Sequence, residues 1–205
     1  MYYKSFFTLS LFIFLMFFTV SANASSKFFY AEQWYVILNT QMKNKPQNFK
    51  RNIFFLKNAL KSPFGNPIYS LAKVETREEW EKYKLLFKMH VNLLLVKQYL
   101  HLGDLFDTRY VHFYKTPKKD GILENLNKAT NFYKISVAYY EDALKLHKEL
   151  KKYKSIKIQG DGITNWEEEH HRIETKKLDY HDIIKKELLR IEKTKNFFKS
   201  RPNYY

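Results

Sequence analysis

The sequence has 205 residues, with 36 lysines and arginines against 21 aspartates and glutamates, and no cysteine. The lack of cysteine excludes disulfides, thiolate metal sites and a cysteine nucleophile, and the net charge of +15 favours polyanions as partners. Only five glycines and five prolines interrupt many helix-forming residues, which predicts long helices and an all-α fold.

The N-terminus has the order of a secretory signal peptide: Lys4, an apolar run over residues 6–20, and the small residues Ala22 and Ala24. We expect cleavage after Ala24, so residues 1–24 form the signal peptide and residues 25–205 form a single helical domain in the periplasm. An uncleaved inner-membrane anchor is the alternative, although the run is shorter than the roughly 20 residues of a spanning helix. Export separates the chain from nucleic acid, which is therefore not an expected partner.

Apolar residues recur at helical spacing over residues 28–43 and again over residues 48–61, and Pro46 separates the two segments. A turn cluster follows at residues 62–67, and residues 68–74 are expected to add a short turn. Thr76 and Glu79 then form a capping box, which predicts a helix from there to about Phe106. Because residues 91–96 are apolar on nearly every side, we expect this helix to be the central one.

Residues 107–121 combine aromatic and basic side chains and are predicted to form an inserted loop. A fourth helix is expected from about Ile122 to Tyr153, followed by an inter-helix loop over residues 154–163. A second capping box, at Thr164 and Glu167, predicts a last helix that runs to about Phe198. The short loop between these two long helices favours an antiparallel hairpin, and the whole domain would contain about five helices.

A pattern on the third and fourth helices resembles the tetratricopeptide repeat, in which aromatic and small residues recur at fixed spacing. The resemblance implies a tetratricopeptide-like repeat or bundle in which the glycine lets the second helix approach closely. Glu141 stands where the repeat usually has a closing proline, and residues 107–121 would be an insertion. An ordinary bundle with an incidental Leu-Gly pair is the alternative. The matching residues are Tyr99, Leu102, Gly103 and Phe106, then Ala129, Tyr133 and Ser136.

The chain as a whole is similar to the lysine-, asparagine- and aromatic-rich exported helical proteins of spirochaetes. Some tetratricopeptide-like members of that group are parts of the periplasmic flagellar collar. The signal peptide, the repeat-like pattern and the lack of catalytic motifs favour a non-enzymatic scaffold that binds another periplasmic or envelope protein, and the resemblance implies a role in assembly of the flagellar collar.

The best candidate for chemistry is the pair Glu168 and His171, which has the Glu-x-x-His spacing of di-iron bundles. Such a site needs a second copy and two further glutamates. With His170 and His181 nearby in sequence, a metal-dependent enzyme is a further hypothesis. No His-Glu-x-x-His motif, phosphate-binding loop or Gly-x-Ser-x-Gly elbow occurs in the sequence. We therefore expect no catalytic residue, no metal site and no cofactor.

Lysines are concentrated in the predicted loop and at the end of the fourth helix. The helix dipole alone favours positive charge at a helix C-terminus, so the cluster can be a solvated helix end. The functional alternative is a peripheral binder of anionic membrane or cell wall. The candidate basic patch consists of Lys115, Lys118, Lys119, Lys145, Lys148, Lys151, Lys152, Lys154 and Lys157.

Overall fold

The computed structural model describes residues 28–107 and 119–200. This part of the chain contains six α-helices, two short 3-10 helices and no β-strand, which confirms the all-α prediction. The predicted signal peptide, and most of the loop predicted at residues 107–121, lie outside the described residues. The α-helices are α1 (Ala31–Asn44), α2 (Phe49–Lys61), α3 (Arg77–Phe106), α4 (Lys119–Leu150), α5 (Asp161–Glu174) and α6 (Tyr180–Ser200).

Side-chain amides help to start the first two helices. The Gln33 side-chain oxygen accepts hydrogen bonds from the backbone N–H groups of Phe29 and Tyr30, at 2.8 and 3.1 Å. At the start of α2, the Asn48 side chain accepts from the backbone N–H of Arg51 at 3.3 Å. These acceptors satisfy N–H groups that have no partner within the first turn of a helix. Trp34 then packs edge-on against α2 and holds the two helices together.

The predicted capping box opens α3. The Glu79 N–H donates to the Thr76 hydroxyl oxygen at 3.2 Å, and the Thr76 N–H donates to the Glu79 carboxylate at 3.1 Å. Residues 89–96 of this helix are buried on every face, because α2, α4 and α5 pack around it and Tyr35 of α1 contacts Phe87 and His90. The prediction of a central helix is therefore confirmed.

α4 runs antiparallel to α3 along most of its length. Near the loop end of the pair, Gly103 faces Tyr133, and at the opposite end Lys82 donates to the carbonyl oxygen of Ile156. α4 begins at Lys119, three residues earlier than predicted, and ends at Leu150, where the 3-10 helix Lys151–Tyr153 follows. Pairing over this length buries a continuous stripe of both helices and makes this pair the main support of the fold.

The last predicted helix is two helices in the structure, α5 and α6. Lys176 adopts a left-handed conformation with φ of 56°, and the Asp179 side chain accepts hydrogen bonds from the N–H groups of His181 and Asp182. The break lets Leu178 stay buried while its carbonyl oxygen accepts from the Tyr140 hydroxyl at 3.0 Å. The C-terminal segment still returns antiparallel to α4, as predicted, but it is not continuous.

The second predicted capping box does not exist. α5 begins at Asp161, because Gly160 has φ of 156° and turns the chain there, so Thr164 lies inside the first turn. Trp166, Ile173 and Tyr180 recur every seven residues in the sequence, a spacing that favours one continuous helix, and all three are nevertheless buried in the core. Among the described helices, none combines the length and the apolar character needed to cross a membrane.

Candidate functional site

The residues of the repeat-like pattern meet where α3 crosses α4. A Cβ atom at Gly103 would lie 2.3 Å from Cε1 and 2.7 Å from Cδ1 of Tyr133, closer than real Cβ atoms come. The absent side chain therefore makes room for the Tyr133 ring, whose hydroxyl donates to Asp104 at 2.7 Å. Ala129 and Ser136 are fully buried beside it, and the Ser136 hydroxyl donates to the Tyr133 carbonyl oxygen at 2.6 Å.

The other residues of the pattern extend the same contact along the two helices. Tyr99 stacks on Tyr139 with ring centroids 5.6 Å apart, and Phe106 stacks on Phe132 at the same distance. Leu102 is buried between the two helices. The pattern thus acts as a helix-packing device between α3 and α4.

The lysines of the candidate basic patch do not form one surface feature in the described part of the chain. Lys115 and Lys118 lie outside the described residues, and Lys119 donates to the carbonyl oxygen of Lys199 on α6. The other members are exposed around the end of α4. Two of them pair with acidic residues: Lys145 with Asp142 at 2.8 Å, and Lys154 with Glu174 at 3.6 Å. Within the described residues, no ion pair involves Lys148, Lys151, Lys152 or Lys157.

The three histidines considered for metal binding have three different surroundings. His170 faces His147 of α4 with ring centroids 4.5 Å apart, and burial lowers the pKa of both rings, that of His147 to about 4. His171 is exposed on α5, and His181 contacts the Glu141 carboxylate at 2.7 Å. The described residues contain no group of three or more His, Cys, Asp or Glu side chains that could hold a metal ion.

An open groove lies between the start of α1 and the 3-10 helix Pro67–Tyr69. We call it the aromatic groove. Its volume is about 570 Å³, within the range of ligand-binding pockets. The Tyr69 side chain stands at its edge and is 68 % exposed. The residues that line the groove are Phe28, Tyr30, Glu32, Gln33, Val36, Ile37, Tyr69 and Leu71.

Glu32 is the acidic group of the aromatic groove, and it is only 3 % exposed. Its Oε2 accepts a hydrogen bond from the Gly65 N–H at 3.1 Å, whereas its buried Oε1 has no hydrogen-bond partner within the described residues. Burial raises the pKa of this carboxyl, because removal from water penalises the charged form. A carboxylate oxygen without a partner is unusual in a buried position and calls for a specific explanation, such as a bound water, donor or cation.

A second polar feature crosses the core and joins α1, α3 and α5. The Tyr35 hydroxyl lies 2.9 Å from His90 Nε2, and His90 Nδ1 lies 2.6 Å from a Glu169 oxygen. The other Glu169 oxygen accepts from Lys97 at 3.2 Å. A proton on Nδ1 lets the ring donate to Glu169 and accept from Tyr35. Burial raises the pKa of the Tyr35 phenol, so the hydroxyl stays protonated and the network acts as a structural link.

Sequence reasoning missed both the groove and the network. Tyr69 lies in the short 3-10 helix after the turn cluster and Glu32 in the first turn of α1, and only tertiary folding brings these segments together. For the network, a signal was available: His90 is a polar residue in a helix centre that is apolar on all sides, so it needs buried partners. Its partners are 55 and 79 residues away in sequence, which is why they could not be named.

A comparison with protein-family models matches residues 78–201, from the first turn of α3 to just beyond the end of α6, to the Domain of unknown function (DUF8513). Comparisons with curated proteins and with solved structures found no match.

Proposed function

The chain belongs to the DUF8513 family, and we propose that it is a non-enzymatic periplasmic scaffold that binds another envelope protein through the aromatic groove. The observation that carries the proposal is the groove itself. It is open, mainly apolar and walled by aromatic side chains that remain partly exposed to water.

Exposed aromatic side chains around a concave surface favour a binding role. Tyr69 and Tyr30 line the groove with exposed side chains, and Gly65 lies next to the Tyr30 ring and the Cβ atom of Tyr69. Tyrosine is enriched at protein interfaces because its large ring buries much apolar area with few rotatable bonds, and such rings often dominate binding energy. An isolated exposed aromatic residue needs no explanation, but several around one groove indicate a surface that a partner covers.

The polar network of Tyr35, His90 and Glu169 gives little support to catalysis. The Tyr35 phenol is kept protonated by burial, and the imidazole beside it is already occupied by two hydrogen bonds. A nucleophile or general base needs a group that can accept a proton from a substrate. This network therefore supports a structural role, and the proposal of a binding protein rests on the groove.

Photo-crosslinking at position 69, with position 68 as the matched control, tests the scaffold proposal. Tyr69 lines the groove, whereas Ile68 lies on the same turn, is 81 % exposed and does not line it. We expect a crosslink to one partner protein from position 69 only. With that partner purified, Tyr69→Ser should weaken binding at least about tenfold and Ile68→Ser should not. Equal binding by the two variants, or no crosslinked partner, would contradict the proposal.

The cellular location is tested separately. We expect a mature N-terminus at Ser25 in an envelope fraction, and a tagged copy at the flagellar motor if the scaffold serves the collar. An intact Met1 on a cytosolic product would contradict the periplasmic part of the proposal.

A second candidate function, binding to an anionic membrane, is favoured by one observation. Lys148, Lys151, Lys152 and Lys157 are exposed at one end of α4 and have no ion pair within the described residues. Clusters of four or more such charges bind anionic lipid head groups.

A further inference from the structure

We propose that the aromatic groove receives a basic side chain of the partner, lysine or arginine, and that Glu32 is its counter-ion. This inference rests on the proposed function of the groove and names the chemistry that the groove recognises. The expected ligand is a cation, and binding of a neutral apolar side chain in the same place would contradict the inference.

The unpartnered oxygen of Glu32 carries the argument. Glu32 lies in the first turn of α1, where the helix dipole favours negative charge, and Gly65 satisfies its Oε2. These two features compensate only part of the cost of burying a carboxylate, since Oε1 lacks a hydrogen-bond partner in the described part of the chain. None of the ion pairs formed by the described residues involves Glu32. Because Oε1 is itself closed off from water, a cation in the groove would compensate the remaining charge after a small movement of the lining side chains.

The aromatic and aliphatic side chains that line the groove also suit a cation, in addition to the Glu32 carboxyl. Phe28, Tyr30 and Tyr69 contribute aromatic rings around the acidic group. The face of an aromatic ring attracts ammonium and guanidinium groups, and the aliphatic stem of a lysine or arginine packs well on apolar walls. Val36, Ile37 and Leu71 supply such walls in the same groove. A purely apolar ligand would use these walls but would leave the Glu32 carboxyl without a partner.

The net positive charge of the whole chain helps to interpret a preference of the groove for a cation. With a net charge of +15, the protein repels cations at long range, so an unspecific basic ligand has no general reason to bind. A preference for a cation at this position must therefore come from local groups. Glu32 is the acidic residue among those that line the groove.

The test compares two probes that differ by one ammonium group. We would titrate the ¹⁵N-labelled mature protein with Nα-acetyl-lysine methylamide and with Nα-acetyl-norleucine methylamide, and follow the amide signals of Tyr30, Gly65 and Tyr69. The lysine probe should bind about tenfold more tightly than the norleucine probe, as expected from a cation–π contact and a partly buried counter-ion. Equal affinity, or shifts that lie elsewhere in the protein, would overturn the inference.

Two variants then assign the preference to Glu32. Glu32→Gln keeps the shape of the side chain and should reduce the affinity for the lysine probe to that for the norleucine probe. Glu78→Gln is the matched control, because Glu78 is also an acidic residue in the first turn of a helix but is exposed and remote from the groove. An unchanged preference in Glu32→Gln, with an unchanged unfolding midpoint, would contradict the assignment.

The outcomes separate the two proposals. If Tyr69→Ser abolishes binding of the crosslinked partner but the lysine probe has no advantage, the scaffold proposal stands and the cation inference fails. If the lysine probe binds through Glu32 but no partner protein crosslinks, the cation inference stands and the scaffold proposal fails.

Discussion

The missing side chain at Gly103 determines how closely α4 approaches α3. The Tyr133 ring occupies the space where a Cβ atom would be, and it is fully buried there. Its hydroxyl is also held by Asp104, so the ring cannot move aside without losing a hydrogen bond. A glycine in the middle of a helix normally costs about 1 kcal/mol relative to alanine. At this position the close packing offsets that cost.

Gly103→Ala should therefore destabilise the protein, although alanine is the better helix former. We expect the free energy of unfolding to fall by about 1–2 kcal/mol, because overpacking a buried ring outweighs the gain in helix propensity. The measurement is the midpoint of urea unfolding.

Gly162→Ala is the matched control for this substitution. Gly162 is also helical, in α5, but a Cβ atom there would meet no other atom within 4 Å. We expect no loss of stability, or a gain of up to about 1 kcal/mol. A fall in stability for Gly162→Ala equal to that of Gly103→Ala would show that the packing argument is wrong.

The buried pair His147 and His170 predicts a loss of stability in mild acid. Burial, with a smaller effect of the neighbouring His170, lowers the pKa of His147 from 6.5 to about 4. The unfolded chain therefore takes up a proton at His147 at a higher pH than the folded chain. The free energy of unfolding should fall as the pH drops from about 6.5 to about 4, by an amount on the order of 2 kcal/mol, and then level off.

Chemical denaturation at pH 7.5 and at pH 5 measures this dependence. His147→Gln should reduce the difference between the two pH values, whatever it does to the absolute stability. His171→Gln, at an exposed histidine of the same region, should leave the difference unchanged. If His147→Gln retains the full pH dependence, the pair does not cause it.

At the scale of the helices, the break between α5 and α6 is the feature that sequence patterns did not predict. Asp179 offered a signal, because aspartate is a preferred residue before a helix. The regular seven-residue spacing of Trp166, Ile173 and Tyr180 suggested one continuous helix instead. The spacing correctly predicted which residues are buried, since both helices present the same stripe to the core. The spacing of apolar residues indicates which face of a helix is buried, but it does not exclude a short break in the helix.

Lys176→Gly should stabilise the protein. Lys176 is left-handed at φ of 56°, just after the end of α5, where glycine adopts that conformation without steric cost. We expect a gain of about 0.5–1 kcal/mol, reduced somewhat because glycine also makes the unfolded chain more flexible.

Lys177→Gly serves as the control, because Lys177 is an exposed neighbour of the same residue type without a positive φ. It should leave the midpoint of thermal unfolding unchanged or lower it. If the two substitutions have the same effect, the left-handed conformation of Lys176 is not the cause.

At the scale of the whole molecule, the sequence predicted the helices far better than the places where they meet. The limits of α2 and the start of α3 follow from local signals, namely Asn48 and the pair Thr76 and Glu79. The contact of Gly103 with α4 was predicted because the repeat-like pattern contains both partners. The aromatic groove was not predicted, because Glu32 and Tyr69 become neighbours only after α1, α2 and the turn cluster have folded. Local sequence signals do not predict that two such distant residues become neighbours.

The charge of the whole chain leads to a test of membrane binding. If the lysines at the end of α4 bind anionic lipid, sedimentation with phosphatidylglycerol vesicles should exceed that with phosphatidylcholine vesicles. It should weaken between about 0.1 M and about 0.5 M salt, as screening increases. Changing Lys148, Lys151, Lys152 and Lys157 to Gln should weaken it at least about tenfold, since each charge near the surface contributes about 1 kcal/mol.

The control removes the same number of charges elsewhere. Lys45, Lys50, Lys61 and Lys177 are exposed at other places on the molecule. Their replacement by Gln should have a smaller effect. Equal effects of the two sets would indicate that net charge attracts the vesicles without a defined surface, and equal binding to neutral vesicles would exclude this candidate function.

The position of Tyr35 has a consequence for experiments that use fragments. Its ring meets the edge of Trp166, and its hydroxyl reaches His90. Those two residues lie inside the segment that matches the family, whereas Tyr35 precedes it. A polypeptide trimmed to residues 78–201 would lose the ring contact with the indole and the hydrogen bond to the imidazole. The family match therefore begins after a residue that covers Trp166 and His90, and a relative without α1 needs other residues to cover these two side chains.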